Sequence, residues 1–182
     1  MSSTIKVNTI QNASGGTPTA SDLGLDVSGS VLQTVQTVVS TAVSVSAPDG
    51  TAASVSGFAA TITPSSTSSK ILVRSSLNFS ASGTTYGGFY KRNGTTIGVG
   101  TAAGSQQEVG FPLGYIPSDA NQSVTYSYEY LDSPASTSAL TYQLWVNNDN
   151  YLGCYFNRSV NNNNNNTGKA AISTITLMEI GG

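Results

Sequence analysis

Lys70-Ile71-Leu72-Val73-Arg74-Ser75-Ser76-Leu77-Asn78-Phe79 sets Ile71, Val73, Leu77 and Phe79 on one parity and Lys70, Arg74 and Asn78 on the other. Alternate residues of a strand face opposite ways, so this segment predicts a strand with one buried and one solvated face. Downstream, Gly88-Phe89-Tyr90-Lys91-Arg92-Asn93-Gly94-Thr95-Thr96-Ile97-Gly98 carries an Asn-Gly pair between two β-prone runs. Both residues accept positive φ, which a type I′ hairpin turn requires.

Outward from these two segments the same signals recur. Val31, Val35 and Val39 share parity in a β-branched stretch that predicts a first strand. Ala47-Pro48-Asp49-Gly50 reads as a turn, because Pro presets φ and Asp-Gly accepts the tight backbone after it. A weaker strand follows from Gly57 to Thr63, and Pro64 to Ser69 form a Ser/Thr loop. Further strands are expected at Val124 to Leu131, Ala139 to Val146, Tyr151 to Phe156 and Ala170 to Ile180. No segment has an amphipathic helical period. About eight short strands with turn-rich joints predict an all-β, antiparallel β-sandwich spanning residues 31–182, jelly-roll-like. An immunoglobulin-like sandwich ranks second, since its Cys and Trp landmarks are missing.

Residues 1–30 differ in kind. Short apolar marks (Ile5, Val7, Ile10; Leu23, Leu25, Val27) flank Asn12-Ala13-Ser14-Gly15-Gly16-Thr17-Pro18, a loop composition unable to bury itself. Such a segment is either a flexible tail or an extended arm that orders along another subunit, with Ile5, Val7, Ile10, Leu23 and Leu25 as its contacts.

Composition excludes several functions. The 182 residues contain no histidine, which removes the usual general base and every Ser-His-Asp or Cys-His arrangement. Asp119, Glu108, Glu129, Asp132 and Glu179 are scattered, so no glycosidase pair can be argued, and the chain is read as a non-enzyme without cofactor. Charged residues are 9% of the chain and the net charge is −2, a field that gathers no nucleic acid. The opening Met1-Ser2-Ser3-Thr4-Ile5-Lys6-Val7 lacks the apolar stretch of a signal peptide and no run approaches a membrane span, so soluble use without membrane insertion is expected. Cys154, the sole cysteine, is expected as a buried small hydrophobe. The Asn-rich runs 147–150 and 161–166 lack the carboxylates of a calcium loop, and the Asn-X-Ser matches at Asn78 and Asn157 carry no weight.

Three features point to contacts. Tyr126, Tyr128 and Tyr130 form a one-sided aromatic stripe, suited first to a core or subunit interface and second to stacking on sugars. In Ala170 to Ile180 both faces are apolar: Ile172, Met178 and Ile180 on one, Ile175 and Leu177 on the other. One face can pack inward while the other meets a neighbour, and Ile175, Leu177 and the three tyrosines are the expected interface residues. An inner strand covered by its own loops is the competing explanation. Trp145 lies opposite the inward parity of Tyr142, Leu144 and Val146, which makes it the candidate contact for a host surface glycan.

Thr4-Ile5-Lys6-Val7-Asn8-Thr9-Ile10-Gln11-Asn12 resembles the opening of tail-fibre and other structural proteins of marine and cyanobacterial bacteriophages. The resemblance continues through residues 29–35, 60–73, 89–98 and 175–180, and so spans nearly the whole chain as an ordered series of short β motifs. It implies a virion protein assembled in the host cytoplasm, a homotrimer of sandwiches carried by arms that bind other virion proteins. A tail fibre for host attachment is the first expectation. Capsid decoration by a head fibre, or a glycan-binding module, are the alternatives.

Overall fold

The computed structural model describes residues 8–18, 28–46, 48, 50–82, 85–114, 120–148, 153–166 and 168–182. Its strands are β1 (Val31–Val39), β2 (Val43–Val45), β3 (Thr51–Ile62), β4 (Lys70–Ala81), β5 (Thr85–Arg92), β6 (Thr95–Ile97), β7 (Phe111–Gly114), β8 (Val124–Asp132), β9 (Leu140–Asn148), β10 (Cys154–Phe156) and β11 (Ser173–Ile180). No helix occurs among the described residues.

All pairings are antiparallel and fall into two sheets. One runs β1-β11-β4-β10-β2 with β8 on the other edge of β4; the second runs β3-β9-β5-β6 with β7 also on β5. β1 and β2 occupy one position, as do β10 with β11 and β6 with β7. Eight positions then remain, ordered 1-8-3-6 and 2-7-4-5. First pairs with last, second with seventh, third with sixth and fourth with fifth. That is one long hairpin of four strand pairs rolled up, the jelly-roll arrangement.

The sequence explains each device that makes this roll close. Asn93 and Gly94 both take positive φ (46° and 88°), the type I′ turn predicted between β5 and β6. β3 begins six residues before the predicted strand, because Ala52-Ala53-Ser54 has little β propensity and is held by pairing with β9. Between Ser54 and Ala59 the strand bulges, and Gly57 takes φ 77° there. The Gln143 side chain closes that bulge by donating to the carbonyls of Val55 (2.7 Å) and Phe58 (3.1 Å). A second irregularity lies between Val31 and Gln33, so Val31 leaves the parity of Val35 and Val39 and is exposed. β7 escaped prediction because Pro112 argues against a strand; it pairs with β5 alone, where an edge tolerates proline.

The core lies between the sheets. Phe79 sits at its centre, with ring centroids 5.4 Å from Phe156, 5.7 Å from Tyr86 and 6.0 Å from Tyr126. Phe58 packs on Phe156 at 4.9 Å. At one rim Asp132 of β8 accepts two hydrogen bonds from Arg92 of β5 (2.7 and 2.5 Å) and one from the Tyr142 hydroxyl of β9 (2.7 Å). This buried carboxylate clasps the two sheets, and removing one partner would strand the other. Cys154 is buried, and burial pushes its thiol up to about 12, which leaves it an inert core residue.

Candidate functional site

The predicted contact residues separate into inner and outer positions once the register is known. Ile175 and Leu177 have no accessible surface and belong to the core of a single chain. They therefore cannot meet a second subunit, which corrects the interface expectation: of the two apolar faces of β11, this one points inward. Tyr126, Tyr128 and Tyr130 also turn inward and pack half-buried against the core. Tyr128 lies 5.7 Å from Tyr90 and 4.8 Å from Phe111, and donates its hydroxyl hydrogen bond to Gly98 O at 2.9 Å. Gly114 N–H donates to Tyr126 Oη at 3.0 Å. The Tyr126 and Tyr128 rings pack inward while their hydroxyls find backbone groups of Gly114 and Gly98. Gly98, at φ 61°, leaves the space this needs, since a Cβ there would collide with the Tyr128 hydroxyl and the Tyr130 ring.

The outer face of the six-stranded sheet is the surface left over. Its cross-strand rows follow from the register: Thr34-Met178-Leu72-Leu131, then Gln36-Thr176-Arg74-Glu129, then Val38-Thr174-Ser76-Ser127. The first row is apolar apart from Thr34, and Leu32 lies near its β1 end; Leu131 is 46% and Leu32 40% exposed. The second is polar: Gln36 Nε2 donates to Thr176 Oγ1 at 2.9 Å, and Arg74 pairs with Glu129 at 3.8 Å. The third is mostly hydroxyl-bearing and holds an exposed Val38.

The apolar row adjoins the place where residues 1–30 join the domain. Gly29 N–H donates to Gly181 O at 2.7 Å, and Gly181 N–H donates to Ser30 O at 2.9 Å. Beneath them Glu179 accepts from Gln33 Nε2 (2.6 Å), Ser65 Oγ (2.6 Å) and Ser65 N–H (2.7 Å). Burial pushes this carboxyl up, but the hydrogen bonds from Ser65 and Gln33 outweigh it and hold it near 2. The base of the arm is thus pinned to the last strand and to the β3–β4 loop. Within the arm, Asn12 Oδ1 caps a tight turn by accepting from Ser14 N–H (3.2 Å) and Gly16 N–H (2.9 Å), and Ile10 is exposed. Ile5, Val7, Leu23 and Leu25 lie outside the described residues.

Trp145 is half-buried on the outer face of the five-stranded sheet, opposite inward Tyr142, Leu144 and Val146, as parity predicted. Lys91 Nζ stands over its ring, 3.9 Å from the centroid. A sugar stacking on that ring face would have to displace the ammonium.

The Asn-rich segment after β10 is organised by Asn157. This residue is buried at φ 62°. Its Nδ2 donates to Val39 O (2.7 Å) and Thr41 O (3.0 Å), and its Oδ1 accepts from Ser173 Oγ (2.6 Å). A carboxamide so committed is no glycosylation acceptor. Beyond it, Arg158, the run 162–165, Gly168 and Lys169 line a cavity open to solvent. Among the described residues no group of three His, Cys, Asp or Glu side chains could hold a metal ion, and no helix is long and apolar enough to cross a membrane. Comparison with models of known protein families and with curated proteins finds no match to this chain.

Proposed function

We propose that this chain is a structural virion protein, a homotrimeric tail fibre or fibre-like appendage anchored by residues 1–30 and exposing its jelly-roll sandwich. The observation that carries the reading is the set of apolar side chains Met178, Leu72 and Leu131 in one cross-strand row, with exposed Leu32 near its β1 end, on a sheet face beside the base of the arm. Three copies gathered around an axis on this side would bury the row and deliver three arms to one attachment point. Arg74 and Glu129 in the neighbouring row place both signs of charge there, so like faces meet without net repulsion. The ordered resemblance to phage structural proteins supports the same reading. So does a low-charge surface, whose contacts depend little on salt.

Native mass measurement of the whole chain tests it. The expected species is a trimer that becomes monomeric in Leu72→Arg/Leu131→Arg, with β-sheet circular dichroism preserved because both changes lie on an outer face. A wild-type protein that stays monomeric at every concentration overturns the trimer.

A further inference from the structure

The cavity between Asn157 and Ala170 has a volume of about 400 Å³, within the ~300–1,000 Å³ range of small-ligand sites. Its lining holds two cations, Arg158 and Lys169, and the carboxamides of Asn162 and Asn164, with no acidic side chain among the described residues. Arg158 is set in place rather than loose. Its guanidinium lies 4.2 Å over the Tyr155 ring, Nε donates to Ser159 O (2.9 Å) and Nη2 donates to Val160 O (2.6 Å). Lys169 Nζ donates to Asn166 O at 2.7 Å, which leaves two of its three donors for another acceptor. Ser159 lines the same cavity at 1% exposure, and its hydroxyl has no hydrogen-bond partner. Buried hydroxyls are ordinarily paired, so an unpaired one beside two cations marks where an acceptor is missing.

We propose that this cavity binds an acidic saccharide, a carboxylate-bearing sugar unit. Arg158 and Lys169 receive the carboxylate, Ser159 donates to the same group, and the Asn162 and Asn164 amides exchange hydrogen bonds with ring hydroxyls. The lining argues against other occupants of this size. A nucleobase needs an open aromatic face, and the Tyr155 face is taken by Arg158. An apolar ligand would leave the amides and both cations unpaired on their inner side. The site does not depend on the virion role, and it lies away from Trp145.

Titration calorimetry on the full chain with a uronic-acid tetramer, a neutral glucan tetramer and sodium sulfate tests the proposal. The uronate tetramer should bind, with an affinity that falls as salt rises; the glucan should bind at least tenfold more weakly, roughly the cost of losing a charge-assisted contact, and sulfate more weakly than the uronate because it has no ring hydroxyls for the Asn162 and Asn164 amides. Lys169→Glu, an exposed change that leaves the fold intact, should weaken the uronate about tenfold, and Ser159→Ala should weaken it without altering thermal unfolding. No uronate binding by the wild type, equal binding of the glucan, or unchanged binding by Lys169→Glu overturns the proposal. Sulfate binding as tight as the uronate reduces the cavity to a plain anion site and overturns the sugar assignment. A trimer that binds no uronate sinks only this proposal, and a monomer that binds it sinks only the assembly.

Discussion

The two sheets share one core yet treat their outer faces differently. The five-stranded sheet is covered by its own chain: Phe89 is 6% exposed although it lies outside the core, Lys91 closes over Trp145, Val109 sits against Gly87, and Gln107 is hydrogen-bonded to Asn147. Among the described residues the six-stranded sheet has no such cover, and Leu131, Leu32 and Val38 stand open on it. A closed sheet face offers little apolar surface to a partner, whereas exposed apolar side chains grouped on one face are the kind of surface that partners cover. The contrast is the reason the proposed self-association is placed on the six-stranded side of the sandwich.

The strongest way to break the contrast is to uncover the closed face. In Gly87→Val the new side chain would drive into Val109 and the Asn147 amide, expelling the β6–β7 loop. Overpacking of this kind costs about 3 kcal/mol, read as a lower urea midpoint together with faster proteolysis between Gly98 and Gly110. Acid probes the arm base of the six-stranded sheet, where buried Glu179 points inward. Because the folded Glu179 carboxyl is held near 2 against an ordinary 4.5, its contribution is complete above pH 4.5 and is lost as pH falls toward 2. Glu179→Gln should therefore lower stability at pH 7 by about 2 kcal/mol and flatten the acid limb, measured by thermal melts across pH 2–7. The smallest effect concerns the Lys91 lid. Lys91→Met removes the cation over Trp145 for a loss of about 0.5–1 kcal/mol, accompanied by a shift in tryptophan emission. If Lys91→Met instead leaves both emission and stability unchanged, the five-stranded face is less closed than its geometry implies.

Reading the segments against the finished sheets shows where sequence reasoning holds. β4 and the β5–β6 hairpin were legible because parity and Asn-Gly chemistry are local: Ile71, Val73, Leu77 and Phe79 are all fully buried, and the turn closes on residues 93 and 94. β2 and β7 were not, being three and four residues long and held by pairing rather than propensity. The tyrosine stripe was recognised as one-sided, but which side faced the core depended on β8 joining β4 rather than on anything within Val124–Asp132. The cavity near Arg158 was missed because Asn-rich runs look alike whether solvated or folded. Only the hub at Asn157, tied to Val39, 118 residues away, and to Ser173, 16 residues away, distinguishes this one.

By itself the sequence determined the all-β class, the parity of the strongest strands and the hairpin turn, since each follows from neighbours a few residues apart, and its composition shows that the chain has no histidine. Tertiary structure alone decided which face of β11 is core, where the apolar row lies relative to the arm, and that Arg158, Ser159 and Lys169 share a cavity. These depend on pairing between distant strands, and a strand's own alternation is the same whichever of its faces the partner sheet covers.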